Sequence, residues 1–140
     1  MDNQRNEASI AWREWGGAAF ESSLTERKPV LLALTATWCH WCHVMDQTSY
    51  SDSRVIQSIN NGFIPIRVDV DQRPDLSSRY NQGGYPSLVF LDSAGAVIEG
   101  TIYVPPDDMI QLLEKIRSCY PNAPQTVSYT HLTLPTILLV

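Results

Sequence analysis

Two cysteines separated by two residues are the feature of this sequence best suited to chemistry. They are Cys39 and Cys42, within the stretch 37–43, Thr-Trp-Cys-His-Trp-Cys-His. Such a pair can close or open a disulfide and so exchange two electrons with another dithiol. Redox chemistry is therefore the leading hypothesis.

The neighbouring segments predict that the pair lies where a strand ends and a helix begins. Residues 29–34 form a short apolar run typical of a buried strand, and apolar residues after Cys42 recur at helical spacing. Unpaired N–H groups at a helix N-terminus favour an anion, so we expect the pKa of Cys39 to fall below the free value of about 8.5. Cys39 is then the predicted nucleophile, and its thiol is expected to be exposed. Cys42, placed deeper, would attack the mixed disulfide and release the reduced partner.

Three other interpretations of the cysteine pair stay open. Cys-x-x-Cys-His is also the pattern of c-type haem attachment, with His43 as axial ligand, although haem attachment generally occurs outside the cytoplasm and no export signal opens the chain. A structural zinc site needs four ligands, and no second Cys/His pair follows at finger spacing. The third interpretation, two buried cysteines without chemical use, is weakened by the flanking histidines and tryptophans.

The amino-acid composition limits the classes of function that this chain can have. The chain has 140 residues, of which 44% are hydrophobic and 18% charged, with a net charge of −5, and this describes one ordinary domain. An acidic balance without a Lys/Arg cluster argues against nucleic acid as a partner, and no apolar run approaches the ~20 residues that span a bilayer. Three cysteines cannot all pair internally, which favours a reducing compartment and predicts a cytoplasmic protein.

Hydrophobic periodicity and turn residues predict helices alternating with strands. The predicted helices cover residues 15–27, 39–49, 51–62, 74–80 and the segment after Pro105. Ser51-Asp52 is the predicted N-cap signal of the helix at 51–62. The predicted strands cover residues 30–36, 63–70, 87–91 and 96–103, with a hairpin turn at 92–95. The order is α-β-α-β-α-β-β-α.

This order, the Trp-Cys-x-x-Cys motif and the later Gly-Tyr-Pro of residues 84–86 resemble the thioredoxin superfamily over roughly residues 12–120. Within it, residues 38–45, 64–69 and 73–75 resemble the thioredoxin-like domain of the spermatogenesis-associated protein family. The resemblance implies an α/β, thioredoxin-like fold with a central mixed four-stranded sheet flanked by helices. Members of that family carry a large α/α-barrel region after this domain, which would be a partner within the full-length protein.

The resemblance also assigns roles to individual residues. Cys39 corresponds to the attacking thiol and Cys42 to the resolving thiol. Pro86 falls where thioredoxins hold a cis proline, so the backbone of Tyr85 would pair with an extended substrate segment, and Gly84 would permit the close approach. The implied partner is a protein dithiol or disulfide. No cofactor and no metal are predicted.

Three residues beside the cysteines are predicted to support them. A protonated His40 would stabilise the Cys39 thiolate and raise the reduction potential above that of ordinary thioredoxin. Trp38 and Trp41 would form an apolar rim that receives a partner. One residue departs from the thioredoxin pattern, because Ala33 stands where thioredoxins carry a buried aspartate that assists proton removal from the resolving thiol.

The end of the chain has a different character. Residues 127–136 are those obtained by translating a nucleotide sequence that resembles a transposase-type sequencing adaptor. This predicts a thioredoxin-like domain at 1–125, a non-native tail at 126–140 and a truncated fragment of a longer reading frame. The alternative is a genuine β-rich tail whose apolar end would favour aggregation.

Two functions from different classes follow from these patterns. The first is a thiol–disulfide oxidoreductase that uses the Cys-His-Trp-Cys dithiol. The second is a non-catalytic thioredoxin-like docking module of a larger protein with an α/α-barrel region. Haem attachment is the minor alternative.

Overall fold

The computed structural model describes residues 9–120, so the predicted tail at 126–140 lies outside the described residues. The helices are α1 (Gly17–Glu26), α2 (His40–Gln47), α3 (Ser53–Gly62), α4 (Pro74–Tyr80) and α5 (Pro106–Cys119), with a 3₁₀ turn at Ser49–Ser51. The strands are β1 (Val30–Thr35), β2 (Ile64–Asp69), β3 (Ser87–Leu91) and β4 (Val97–Thr101). Each element lies where the sequence predicts it, with ends that differ by a few residues.

The strands form one mixed sheet in the order β2-β1-β3-β4. Strand β1 pairs in parallel with β2, where Val30 lies opposite Ile64, and antiparallel with β3, where Val30 lies opposite Leu91. All six residues of β1 are buried, which explains its continuous apolar run. The predicted fold class, a central mixed four-stranded sheet flanked by helices, is confirmed.

Side chains alternate along β1 and divide the core between the two faces of the sheet. One face carries the buried cluster that includes Leu31, Ala33, Met45, Ile59, Phe63, Phe90, Met109 and Leu113. The opposite face carries the cluster that includes Val30, Leu32, Leu34, Ala36, Cys39, Cys42, Val68 and Leu76. The cysteine pair is therefore part of the packed core on the second face.

A side-chain cap starts the helix that follows the 3₁₀ turn. The Asp52 carboxylate accepts hydrogen bonds from the backbone N–H groups of Arg54 (2.8 Å) and Val55 (3.4 Å), as the predicted N-cap requires. Hydrogen bonds from the Arg54 side chain and from these N–H groups lower the pKa of Asp52 to about 2. This cap fixes where α3 begins and hence how the chain returns to the sheet after the cysteine motif.

None of the helices within residues 9–120 has the length and apolarity needed to cross a lipid bilayer.

Candidate redox site

Cys39 lies at the point where the chain leaves the sheet and enters α2. Its backbone is extended, with φ −93° and ψ 113°, and it is the N-cap residue of the helix. Its Sγ atom accepts a hydrogen bond from the backbone N–H of Cys42, with an S–N distance of 3.2 Å. A thiolate at this position would receive the same N–H group and the positive end of the helix dipole.

Cys42 is the more deeply buried thiol of the pair. It is 2% exposed, against 7% for Cys39, in keeping with the predicted difference in depth. Burial raises the pKa of Cys42 from 9.0 to about 12, and a side-chain hydrogen bond with Cys39 adds to this increase. The two cysteine side chains are therefore hydrogen-bonded neighbours, and Cys42 holds its proton at neutral pH.

The exposure that the mechanism leads one to expect for Cys39 is not found. Only 7% of the residue is accessible, because it packs into the core cluster beside Cys42 and Ala36. Cys119, by contrast, is exposed at the end of α5. Any molecule that reaches the Cys39 side chain must therefore approach along the surface formed by its neighbours.

Two exposed tryptophans flank the cysteine pair. Trp38 is 64% exposed, and its indole Nε1 donates a hydrogen bond of 2.9 Å to Asp71 Oδ2. Trp41 is 53% exposed, and its ring centroid lies 5.2 Å from that of Tyr103. Contacts of this kind hold the aromatic rings in place while leaving much of their surface open, which suits a rim that receives a partner.

The loop before β3 comes close to the cysteine motif. The peptide bond between Tyr85 and Pro86 is cis, and Pro86 is buried. The Tyr85 ring meets the Trp38 ring edge-on at a centroid distance of 6.0 Å. The Gly84 carbonyl accepts a hydrogen bond of 2.5 Å from the Ser87 hydroxyl, which ties this loop to the start of β3. Residues 84–86 are thus placed beside the residue that precedes Cys39.

The two histidines of the motif have different surroundings. His40 is exposed, and its ring lies 5.6 Å from the Trp41 ring. His43 Nε2 donates a hydrogen bond of 2.7 Å to the Thr37 carbonyl. The imidazole of His43 is therefore held against the loop between β1 and α2, whereas that of His40 faces solvent at the first turn of the helix.

One charged pair near the site was not anticipated from the sequence. A cavity of about 630 Å³ is lined by Cys42, His43, Asp46 and Arg67, among other residues. The Asp46 carboxylate accepts two hydrogen bonds from the Arg67 guanidinium, at 3.0 and 2.8 Å. The position of Asp46 could have been predicted from helical spacing, since it follows Cys42 by four residues and so lies on the same face of the helix. Arg67 comes from β2, a pairing that the sequence does not reveal.

Within residues 9–120 there is no group of three or more His, Cys, Asp or Glu side chains placed to hold a metal ion. The zinc interpretation of the cysteine motif therefore lacks its further ligands there.

The chain is similar to curated proteins of much greater length. It is 32% identical over 107 residues to spermatogenesis-associated protein 20 of Rattus norvegicus, covering 71% of this chain but 14% of that protein. It is 31% identical over 94 residues to the thiol:disulfide interchange protein DsbD of Campylobacter jejuni strain RM1221, covering 64% of this chain and 16% of that protein. The chain thus spans about a seventh of the length of such relatives.

Solved structures show the same fold. A thioredoxin from Thermus thermophilus has a TM-score of 0.70 and 22% identity, with 89% of this chain and 96% of that chain covered. A structure described as DsbH oxidoreductase has a TM-score of 0.68 and 23% identity, with 82% and 87% covered. The family described as "Thioredox_DsbH: Protein of unknown function, DUF255" matches residues 3–138. The chain therefore belongs to this thioredoxin-like DUF255 family.

Proposed function

We propose that this domain is a thiol–disulfide oxidoreductase in which Cys39 and Cys42 are the reacting pair. The observation that carries the proposal is the hydrogen bond from the Cys42 N–H to Cys39 Sγ at the N-terminus of α2. The first turn of the helix thus directs an N–H group at Cys39 Sγ, while burial keeps Cys42 protonated. The relative named as a thiol:disulfide interchange protein supports the same chemistry.

The proposed reaction proceeds in two steps. The Cys39 thiolate attacks one sulfur of a partner disulfide, so that a Cys39–partner disulfide forms and the partner's second sulfur leaves as a thiolate. Cys42 then loses its proton and attacks Cys39 Sγ, which closes the Cys39–Cys42 disulfide and releases the reduced partner. Two electrons pass from the cysteine pair to the partner.

The residues around Cys39 and Cys42 would bind the substrate protein. The backbone of Tyr85 and the open approach at Gly84 would pair with an extended segment of the partner protein. Trp38 and Trp41 would cover the apolar part of that segment. In the reducing cytoplasm the pair would be kept as a dithiol, and an α/α-barrel region of the full-length protein is a second candidate partner.

Reduction of insulin disulfides with dithiothreitol as electron donor tests the proposal. The wild-type domain should accelerate insulin precipitation, and Cys39→Ser should abolish the acceleration. Cys119→Ser is the matched control, because it removes an exposed thiol outside the motif and should retain full activity. An active Cys39→Ser variant, or an inactive wild type, would refute the proposed role of Cys39.

The limited exposure of Cys39 favours a second candidate, a non-catalytic docking module. A thiol that is 7% exposed beside two exposed tryptophans suits a surface that binds a protein without reacting with it. A folded wild-type domain that never reduces insulin would support this function. Haem attachment fits less well, because both cysteines are buried and His43 Nε2 is hydrogen-bonded to the Thr37 carbonyl.

A further inference from the structure

The second step of the proposed reaction requires a proton acceptor for Cys42. The thiol is 2% exposed, and burial raises its pKa to about 12, yet only its thiolate can attack the mixed disulfide. Ala33, at the position of the thioredoxin aspartate, is fully buried and offers no acid or base. The acceptor must therefore come from another element.

The cavity beside Cys42 contains a carboxylate in a fixed position. Asp46 lies one helical turn after Cys42 on the same face of α2, and both residues line this cavity of about 630 Å³. Two hydrogen bonds from Arg67 fix the orientation of the carboxylate. Since a water molecule takes up about 30 Å³ in the liquid, the cavity that both residues line has ample room for solvent.

We propose that Asp46, oriented by Arg67, accepts the proton of Cys42 through a solvent molecule in this cavity. This inference rests on the proposed oxidoreductase function. The Cys42 S–H proton passes to the carboxylate as the Cys42 sulfur bonds to Cys39 Sγ. The Cys39–partner S–S bond then breaks, the partner leaves as a thiolate that takes a proton from solvent, and Asp46 returns its own proton to solvent.

Other titratable or charged side chains around the cavity are weaker candidates for this role. The cavity is also lined by Arg13, Glu14, His43, Asp69 and Arg73. His43 is held through Nε2 by the Thr37 carbonyl, and Asp69 Oδ1 accepts a hydrogen bond from the Asp71 N–H. Tyr50 is buried near Arg67, and it holds its proton because burial raises its pKa.

The sign of the effect separates a proton acceptor from a mere neighbouring charge. The negative charge of Asp46 by itself raises the pKa of Cys42. If charge were its sole influence, Asp46→Asn would favour the Cys42 thiolate and make partner release faster. If Asp46 accepts the proton, the same variant makes release slower.

The test uses 5,5′-dithiobis(2-nitrobenzoate) in a Cys119→Ser background. Attack by Cys39 releases a first coloured thiolate, and attack by Cys42 on the mixed disulfide releases a second, whose rate stopped-flow absorbance records. Asp46→Asn should slow the second release by about 10-fold or more near neutral pH, within the range for general acid–base catalysis. Its rate profile should also move to higher pH, with the first release unchanged.

Matched variants complete the experiment. Asp107→Asn breaks an ion pair with Arg54 away from this cavity, whose lining includes neither residue, and should leave both phases unchanged. Asp46→Glu should restore most of the rate, which a purely structural role would not predict. His43→Gln should leave the second phase within about twofold of wild type.

The possible results are distinguishable. An Asp46→Asn variant as fast as or faster than wild type, an Asp46→Glu variant as slow as Asp46→Asn, or a large loss confined to His43→Gln would each overturn the role of Asp46. A Cys42→Ser variant that still shows the second release would refute the resolving role of Cys42, and with it the proposed function. Circular dichroism of each variant establishes that it is folded.

Discussion

The difference in burial between the two thiols predicts a large difference in their reactivity. We expect iodoacetamide at neutral pH to alkylate Cys42 far more slowly than a free cysteine, because the thiolate is the reactive species. Burial is the main reason that the Cys42 pKa is about 12 rather than 9.0. The prediction therefore depends chiefly on burial and only partly on the presence of Cys39.

The magnitude follows directly from the two pKa values. At pH 7 a thiol with a pKa of 9.0 is about 1% thiolate, whereas one with a pKa of about 12 is about 0.001% thiolate. The thiolate fraction of Cys42 is thus roughly 1000-fold lower than that of an ordinary cysteine. Since a thiolate of higher pKa is the stronger nucleophile, alkylation of Cys42 should be slower by about 30-fold or more at neutral pH. The rate should rise about tenfold per pH unit as the thiolate fraction grows.

Timed alkylation followed by peptide mass spectrometry measures the rates of all three cysteines in one reduced sample. Cys119, which is exposed, provides the internal reference. In Cys39→Ser, Cys42 should stay far slower than Cys119, because its burial is unchanged. If Cys42 in the wild type is alkylated at a rate within tenfold of that of Cys119, burial does not control its reactivity. If the Cys42 rate reaches that of Cys119 only in Cys39→Ser, the neighbouring thiol of Cys39, rather than burial, is the main cause of the slow reaction.

Three further predictions concern His40, Trp41 and the helix cap Asp52. The reduction potential in a glutathione buffer should lie above about −270 mV and fall in His40→Ala, whereas a wild-type value at or below −270 mV would contradict the role of His40. Trp41→Ala should slow insulin reduction about 2- to 10-fold, as expected for loss of one aromatic contact. Leu24→Ala removes a side chain of a residue on α1 that is 65% exposed, and it should leave the rate unchanged. Equal rates for Trp41→Ala and wild type would count against a binding role of the tryptophan rim. Asp52→Ala should lower the free energy of unfolding by about 1 kcal/mol in urea titrations at neutral pH. Because the pKa of Asp52 is about 2 in the folded state and about 3.9 unfolded, its contribution is present above pH 3.9 and is lost as the pH falls toward 2, so the two proteins should converge there.

Local sequence patterns were sufficient to predict the elements and the fold. The apolar run at 29–34 became the central strand, Asp52 became a helix cap, and α4 and β3 begin and end at the predicted residues. These features depend on residues close together in the chain, where propensity and capping act directly. The position of the cysteine pair at a strand-to-helix junction is a local feature of the same kind.

Features that depend on distant residues were predicted less well. The expected exposure of Cys39 was wrong, because the packing of the core cluster decides how much of the sulfur solvent can reach. The Asp46–Arg67 pair joins residues 21 positions apart and forms only because β2 lies beside β1 near α2. Such contacts have no signature in composition or local spacing.

The sequence alone therefore determined that this chain places two thiols at the start of a helix within a thioredoxin-like sheet. Only the tertiary structure decided how deeply each sulfur is buried and which carboxylate stands beside Cys42. The physical reason is that helix and strand formation depends on near neighbours, whereas desolvation and charge pairing depend on side chains that folding brings together from separate elements.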